Sequence, residues 1–111
     1  MKVEKLLLDI LLVQSPSYQE EEMVTFLIGH CKKKGYHVKR ERDNVYVTKG
    51  NGTNYPCYVA HTDTCAKKIP KEHYQIVSFD NNVLAGYDKE RDDFTQVGFD
   101  DKLGIFIALK M

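Results

Sequence analysis

The order of patterns along the chain predicts an α/β fold, a partial three-layer sandwich in which a mixed sheet is flanked by helices. Three observations carry that expectation. Apolar residues recur at helical spacing in two stretches that open the chain, over 3–13 and again after Ser17. The period changes to two after Gly35, where β-branched and aromatic residues take over. A last apolar stretch, Leu103 to Met111, follows a pair of aspartates and reads as a buried helix. Helices on either side of a run of strands are the signature of a covered sheet. The 111 residues make a single domain with one modest core. The pattern reads as one part of a larger sheet.

The first helix spans 3–13, with Val3, Leu6, Leu7, Ile10 and Leu11 on its apolar side, and Ser15-Pro16-Ser17 stops it. Ser17 and Glu20 have the spacing of a capping box, and Glu20, Glu21 and Glu22 suit the positive end of the second helix. Its stripe is Met23, Phe26, Leu27, His30 and Cys31; Lys32, Lys33 and Lys34 complement its last turn, and Gly35 ends it. Residues 36–42 and Val45 to Thr48 form a hairpin about Asp43-Asn44, and Lys49-Gly50-Asn51-Gly52 turns the chain again. Residues 55–61 read as a third strand, apolar enough to be covered on both faces, with Pro56 confined to its start. Residues 66–73 form a polar loop. Gln75 to Phe79 and Val83 to Tyr87 form a hairpin about Asp80-Asn81-Asn82, and 88–93 is a charged loop.

Sixteen basic residues balance sixteen acidic ones, so no basic field exists for nucleic acid. The apolar stretch from Leu6 to Val13 is interrupted by Asp9 and too short to span a membrane. Cys31, Cys57 and Cys65 are odd in number and too widely spaced for a disulfide framework or a metal knuckle. Reduced thiols and a cytoplasmic location are expected. Cys65 reads more simply as a small buried hydrophobe than as a metal ligand or an oxidation site.

Two short stretches carry chemistry. His61-Thr62-Asp63 sits at the carboxyl end of the expected third strand, where open α/β sheets collect ligands. An imidazole there can offer one nitrogen to a metal while a carboxylate two residues on holds the other. Taken alone, the plainer reading is a strand-end histidine followed by a turn. Gly98-Phe99-Asp100-Asp101-Lys102-Leu103-Gly104 precedes the final helix. One aspartate of the pair can cap backbone N–H groups while the other faces a cation, although an Asp-Asp cap alone would also account for it. Gly104 inside a helix points to close packing. His30, His37 and His73 are weaker candidates for further ligands, and Glu20-Glu21-Glu22 belongs to a solvated helix start.

In this order and context, His61-Thr62-Asp63-Thr64 and Gly98-x-Asp100-Asp101-Lys102-x-Gly104 resemble the motifs of the co-catalytic zinc exopeptidases. That family includes peptidase T, aminoacylase and glutamate carboxypeptidases. The Leu-rich opening helix, Ser15-Pro16-Ser17, and Gly35-Tyr36 leading into Asn44-Val45-Tyr46-Val47 extend the resemblance over most of the chain, nearest to the peptidase T branch. The resemblance implies the first portion of a zinc-exopeptidase catalytic domain, spanning 1–111 and incomplete. It assigns His61 to one zinc, Asp100 to a bridge between two zinc ions, and Asp63 to the catalytic group as the residue that orients His61. Asp101 is then a supporting residue and no ligand. Two zinc ions would activate water for attack on the amide of a short peptide or an N-acyl amino acid.

Phe99 and Cys65 depart from the family's usual small and aliphatic residues. The family's Glu-Glu pair, further Asp and late His have no counterpart here, so weak metal binding and no peptidase activity are expected of this chain alone. An alternative is a non-catalytic interaction module. The apolar run Ile105-Phe106-Ile107-Ala108-Leu109 would then drive self-association.

Overall fold

The computed structural model describes residues 4–53, 56–79 and 83–111. Helix α1 (Lys5–Leu12) contributes to both buried clusters of the fold. Ile10 and Leu11 are both fully buried, yet they serve different clusters. Ile10 joins Met23, Leu27 and Ile105, with Leu6 packed alongside. Leu11 joins Tyr74 and Val97, with Leu7 alongside. Adjacent positions on a helix point about 100° apart, so a short apolar helix can face two partners. Val3, expected in this stripe, lies outside the described residues.

Helix α2 (Glu21–Lys33) buries Met23, Leu27 and Cys31 of the expected stripe, with Val24 in addition, while Phe26 and His30 are half-buried. Its end also follows the sequence. Gly35 takes a φ of +81°, its N–H donates to the Lys32 carbonyl, and the Tyr36 N–H reaches back to Cys31. That pair of bonds is the Schellman closure, which needs a left-handed residue. The start of α2 differs from expectation: no side chain caps it, and its cap position is Glu20. The Ser17–Glu20 capping box does not form, because the Ser17 hydroxyl donates to Asp63 instead.

Strands β1 (His37–Glu41) and β2 (Asn44–Thr48) form an antiparallel hairpin that packs on α2. Glu41 pairs with Asn44, so the turn is Arg42-Asp43, one residue earlier than expected. Arg40 forks onto Glu21, at 3.0 and 2.6 Å, and ties the hairpin to the first turn of α2. Both groups are exposed, so the pair sets orientation more than stability.

A second antiparallel sheet has the order β3 (Tyr74–Phe79), β4 (Val83–Asp88), β5 (Asp93–Thr95). The expected turn at 80–82 lies outside the described residues. Strand β5 was hidden in the sequence by its charged neighbours. The carboxylate of Asp88, itself 5% exposed, accepts the N–H groups of Glu90 and Arg91 and turns the chain back onto β4. Gly86 on β4 has no room for a side chain, because a Cβ would lie 2.6 Å from the Thr95 carbonyl.

Two expectations are corrected. The described residues form two separate antiparallel sheets in a small mixed α/β fold, and not one mixed sheet. The expected strand 55–61 also fails: Tyr55 lies outside the described residues, and 56–63 contains no strand. An apolar run becomes a covered strand only where neighbours pair with its edges. Here Tyr58 is 61% and Val59 88% exposed, and of this run Ala60 packs against the core.

Helix α3 (Phe99–Lys110) departs from helical angles at Asp100 and Asp101, and the peptide bond between them is cis. Ile105, Phe106 and Leu109 face the first cluster, while Leu103 and Ile107 are exposed. No helix among the described residues is long and apolar enough to cross a membrane.

Lys102 is 2% exposed, and its ammonium donates to the Leu11 carbonyl at 3.0 Å. Burial pushes its pKa down to about 8, from 10.5. Between those values the unfolded chain holds a proton that the folded chain has released, so stability rises with pH across that window. A Lys102→Met variant removes this dependence. The wild type should gain up to about 3 kcal/mol on Lys102→Met between neutral pH and pH near 10, measured by urea unfolding. Equal stability differences at the two pH values would refute the assignment.

Candidate functional site

The site is assembled from two segments that lie far apart in sequence. Residues 61–64 run beside Ser15-Pro16-Ser17 in a parallel bridge between Pro16 and Thr64. The Thr64 N–H donates to the Ser15 carbonyl at 2.8 Å, and the Ser17 N–H to the Thr64 carbonyl at 3.2 Å. The Ser15 hydroxyl, on a residue 1% exposed, donates to the Thr62 carbonyl at 2.6 Å. So His61 is held by this clasp and not at the end of a strand.

The second segment, 98–101, meets the first at Gly98. Gly98 takes a φ of +77°, and a Cβ on it would lie 2.5 Å from the Thr64 methyl. A glycine is therefore required twice over, by conformation and by the close approach. Asp100 follows, with its side chain 93% exposed. Asp101 turns the other way: its Oδ1 accepts the Gly104 N–H at 3.2 Å, and its carboxylate fills the space where a side chain at 104 would sit. The two adjacent aspartates thus divide their work, one facing solvent and one capping the helix turn.

The fold brings His61 and Asp100 together. Nε2 of His61 lies 3.0 Å from Oδ1 of Asp100. Nδ1 faces the main-chain carbonyl of Asp63 at 2.9 Å and its carboxylate oxygen Oδ1 at 3.4 Å. Both ring nitrogens therefore face acceptors, an arrangement that suits the imidazolium. The His61 pKa is raised, chiefly by the hydrogen bond to Asp100. The associated stabilisation is present below its ordinary value, near 6.5, and is lost as pH rises past the raised one. Asp63 is held below the usual carboxylate range, chiefly by the Ser17 hydroxyl at 2.6 Å from Oδ2.

The pair of donors fits part of a metal centre. Two ligands on one tetrahedral zinc sit roughly 3.0–3.4 Å apart, and His61 Nε2 and Asp100 Oδ1 meet that spacing. Among the described residues, no group of three or more His, Cys, Asp or Glu side chains is arranged to hold a metal ion. The weaker histidine candidates are engaged elsewhere. His30 stacks on Phe26, His37 sits on exposed β1, and His73 lies 4.0 Å from Glu90. Cys65 is exposed, contrary to the expected buried hydrophobe; its neighbour Thr64, 4% exposed, takes the inward position. An open recess of about 400 Å³ lies beside Asp100, walled by Cys65, Leu84, Val97 and Phe99. Sequence reasoning missed Ser17 as part of this site. Its spacing to Glu20 fitted a helix cap, and nothing local in the sequence links it to Asp63.

Gly98→Ala should push the two segments apart. The expected loss is about 1–3 kcal/mol in denaturant unfolding, with loss of the His61–Asp100 contact in NMR spectra of the folded fraction. Wild-type stability in this variant would refute the close-approach argument.

No family model, curated protein or solved structure matches the chain.

Proposed function

We propose that His61, Asp63 and Asp100 form part of the metal centre of a zinc-dependent amide hydrolase of the co-catalytic exopeptidase type. The observation that supports this is the 3.0 Å approach of His61 Nε2 to Asp100 Oδ1 across 39 residues of sequence, with Asp63 placed at the opposite ring nitrogen. An aspartate behind a histidine is the usual support of a metal-binding imidazole. A divalent cation would take the place of the proton shared between Nε2 and Oδ1.

In this reading His61 offers Nε2 and Asp100 offers Oδ1, and its exposed carboxylate leaves its second oxygen open to a second ion. Asp63 holds the Nδ1 side, and Asp101 keeps the start of α3 in place. Zinc bound there would polarise the amide carbonyl of a short peptide or N-acyl amino acid. The recess beside Asp100 has room for a small apolar substituent of that substrate. One imidazole and one carboxylate fall short of the three or four protein ligands of a firm zinc site. Residues 1–111 alone should then bind metal weakly and lack peptidase activity. Three free cysteines, two of them exposed, suit a reducing compartment such as the cytoplasm.

Cobalt(II) titration followed by visible absorption tests the centre. The wild type should bind in the micromolar-to-millimolar range, and His61→Ala and Asp100→Ala should each weaken binding at least about 10-fold. No binding by the wild type at millimolar cobalt, or undiminished binding by either variant, would refute the proposal.

A second reading, a self-associating interaction module on the same scaffold, draws on the exposed face of α3. Leu103 and Ile107, four residues apart on it, are 42% and 58% exposed, and Met111 just past its end is 53% exposed. Sedimentation velocity at tens of micromolar should show a dimer or higher species that Ile107→Glu dissociates. A monomer at that concentration would count against this reading.

A further inference from the structure

The carboxylate of Asp63 has two oxygens with different partners. Oδ1 lies 3.4 Å from Nδ1 of His61, and Oδ2 accepts the Ser17 hydroxyl at 2.6 Å. The latter has the short length of a charge-assisted hydrogen bond. Ser17 is itself held in place. Its N–H is bound to the Thr64 carbonyl, and Ser15, two residues before it, binds the main chain at Thr62 and Thr64. The clasp therefore grips the residues on either side of Asp63, and the Ser17 hydroxyl grips its side chain. Pro16, between the two serines, has its φ fixed by its ring, which lowers the entropy lost in holding them in register.

We infer that Ser17 is a positioning residue of this site. Its hydroxyl occupies Oδ2 of Asp63, so the carboxylate stays on the Nδ1 side of His61 and does not swing round to become a ligand. Nδ1 then keeps its proton, and Nε2 is left as the nitrogen offered to a cation. This rests on the reading of His61 as a metal ligand. The main-chain carbonyl of Asp63 also accepts from Nδ1, at 2.9 Å, so the carboxylate adds to a preference already present. The Ser17–Asp63 bond is exposed, and water competes for it. The effect is accordingly a few-fold and not all-or-none.

The test uses ¹⁵N-histidine-labelled, metal-free protein at a pH where His61 is neutral. Two-bond ¹H–¹⁵N correlation spectra read the tautomer of its ring. The tautomer spectra are recorded in an Asp100→Ala background, because Asp100 Oδ1 lies 3.0 Å from Nε2 and would itself draw the proton there. In that background the Nδ1–H form should be in excess. Ser17→Ala and Ser17→Gly should move the population toward the Nε2–H form, and Ser17→Thr, which keeps the hydroxyl, should restore it. In an Asp63→Ala background the Ser17→Ala change should have no further effect, because Ser17 acts through Asp63. With Asp100 intact, cobalt(II) affinity should fall about 3–10-fold in Ser17→Ala and recover in Ser17→Thr. An unchanged tautomer in folded Ser17→Ala and Ser17→Gly, or a full effect in the Asp63→Ala background, overturns the inference. A tautomer shift without cobalt binding in any form, the wild type included, would leave the positioning of the imidazole standing and overturn the metal-centre proposal.

Discussion

The carbonyl of Leu11 holds the molecule together at its centre. It lies in the last turn of α1, where helix carbonyls lack intrahelical partners. It is buried, so water is a poor substitute, and a buried carbonyl left unpaired is costly. Two side chains meet it: the Tyr74 hydroxyl at 2.9 Å, from the first strand of the three-stranded sheet, and the Lys102 ammonium at 3.0 Å, from α3. The negative end of the helix dipole favours a cation at this point. One acceptor thus fixes the relative placement of a helix, a sheet and a second helix. Burial of the phenol has the matching effect on Tyr74, whose pKa is pushed up to about 12.

The site follows from that arrangement. Lys102 stands two residues after Asp100, so anchoring the lysine to α1 also places the aspartate. A few residues past the same helix end, Gln14 exchanges two hydrogen bonds with the backbone of Ile69, each 2.9 Å long. Ser15 and Ser17 then clasp 62–64. The stretch from Leu11 to Ser17 therefore positions both halves of the candidate centre. His61 reaches Asp100 because each is tied separately to this stretch, with Thr64 packed on Gly98 between them.

The energetic character of the two regions differs. Around Leu11 the groups are buried, so each bond matters and a missing partner would be expensive. At His61 and Asp100 the side chains are 51% and 93% exposed. Water screens their attraction, and the contact is held by the clasp and by Gly98 more than by charge. Open, solvated donors on a firm base suit exchange of a proton for a cation better than a buried ion pair would.

Much of the local structure was legible in the sequence. The apolar spacing of α1 and α2, the end of α2 at Gly35, the β1–β2 hairpin and the close packing at Gly104 all depend on residues close in sequence. His61, Asp63 and Asp100 stand out through the resemblance of their two motifs to a known family, since spacing alone favours a strand-end histidine and a helix cap. What sequence could not show were contacts between distant segments. Ser17 reads locally as a helix cap, yet a carboxylate 46 residues away takes its hydroxyl. Residues 56–61 have the composition of a covered strand, but no strand lies alongside them among the described residues. Strand β5 is too short and charged to announce itself, and it forms because Asp88 turns the chain. Sequence alone determined the short-range periodicities and caps, whose energies depend on neighbours a few residues away. Tertiary structure decided which polar groups met, because a hydrogen-bond donor goes to the acceptor that the packed chain brings within about 3 Å of it.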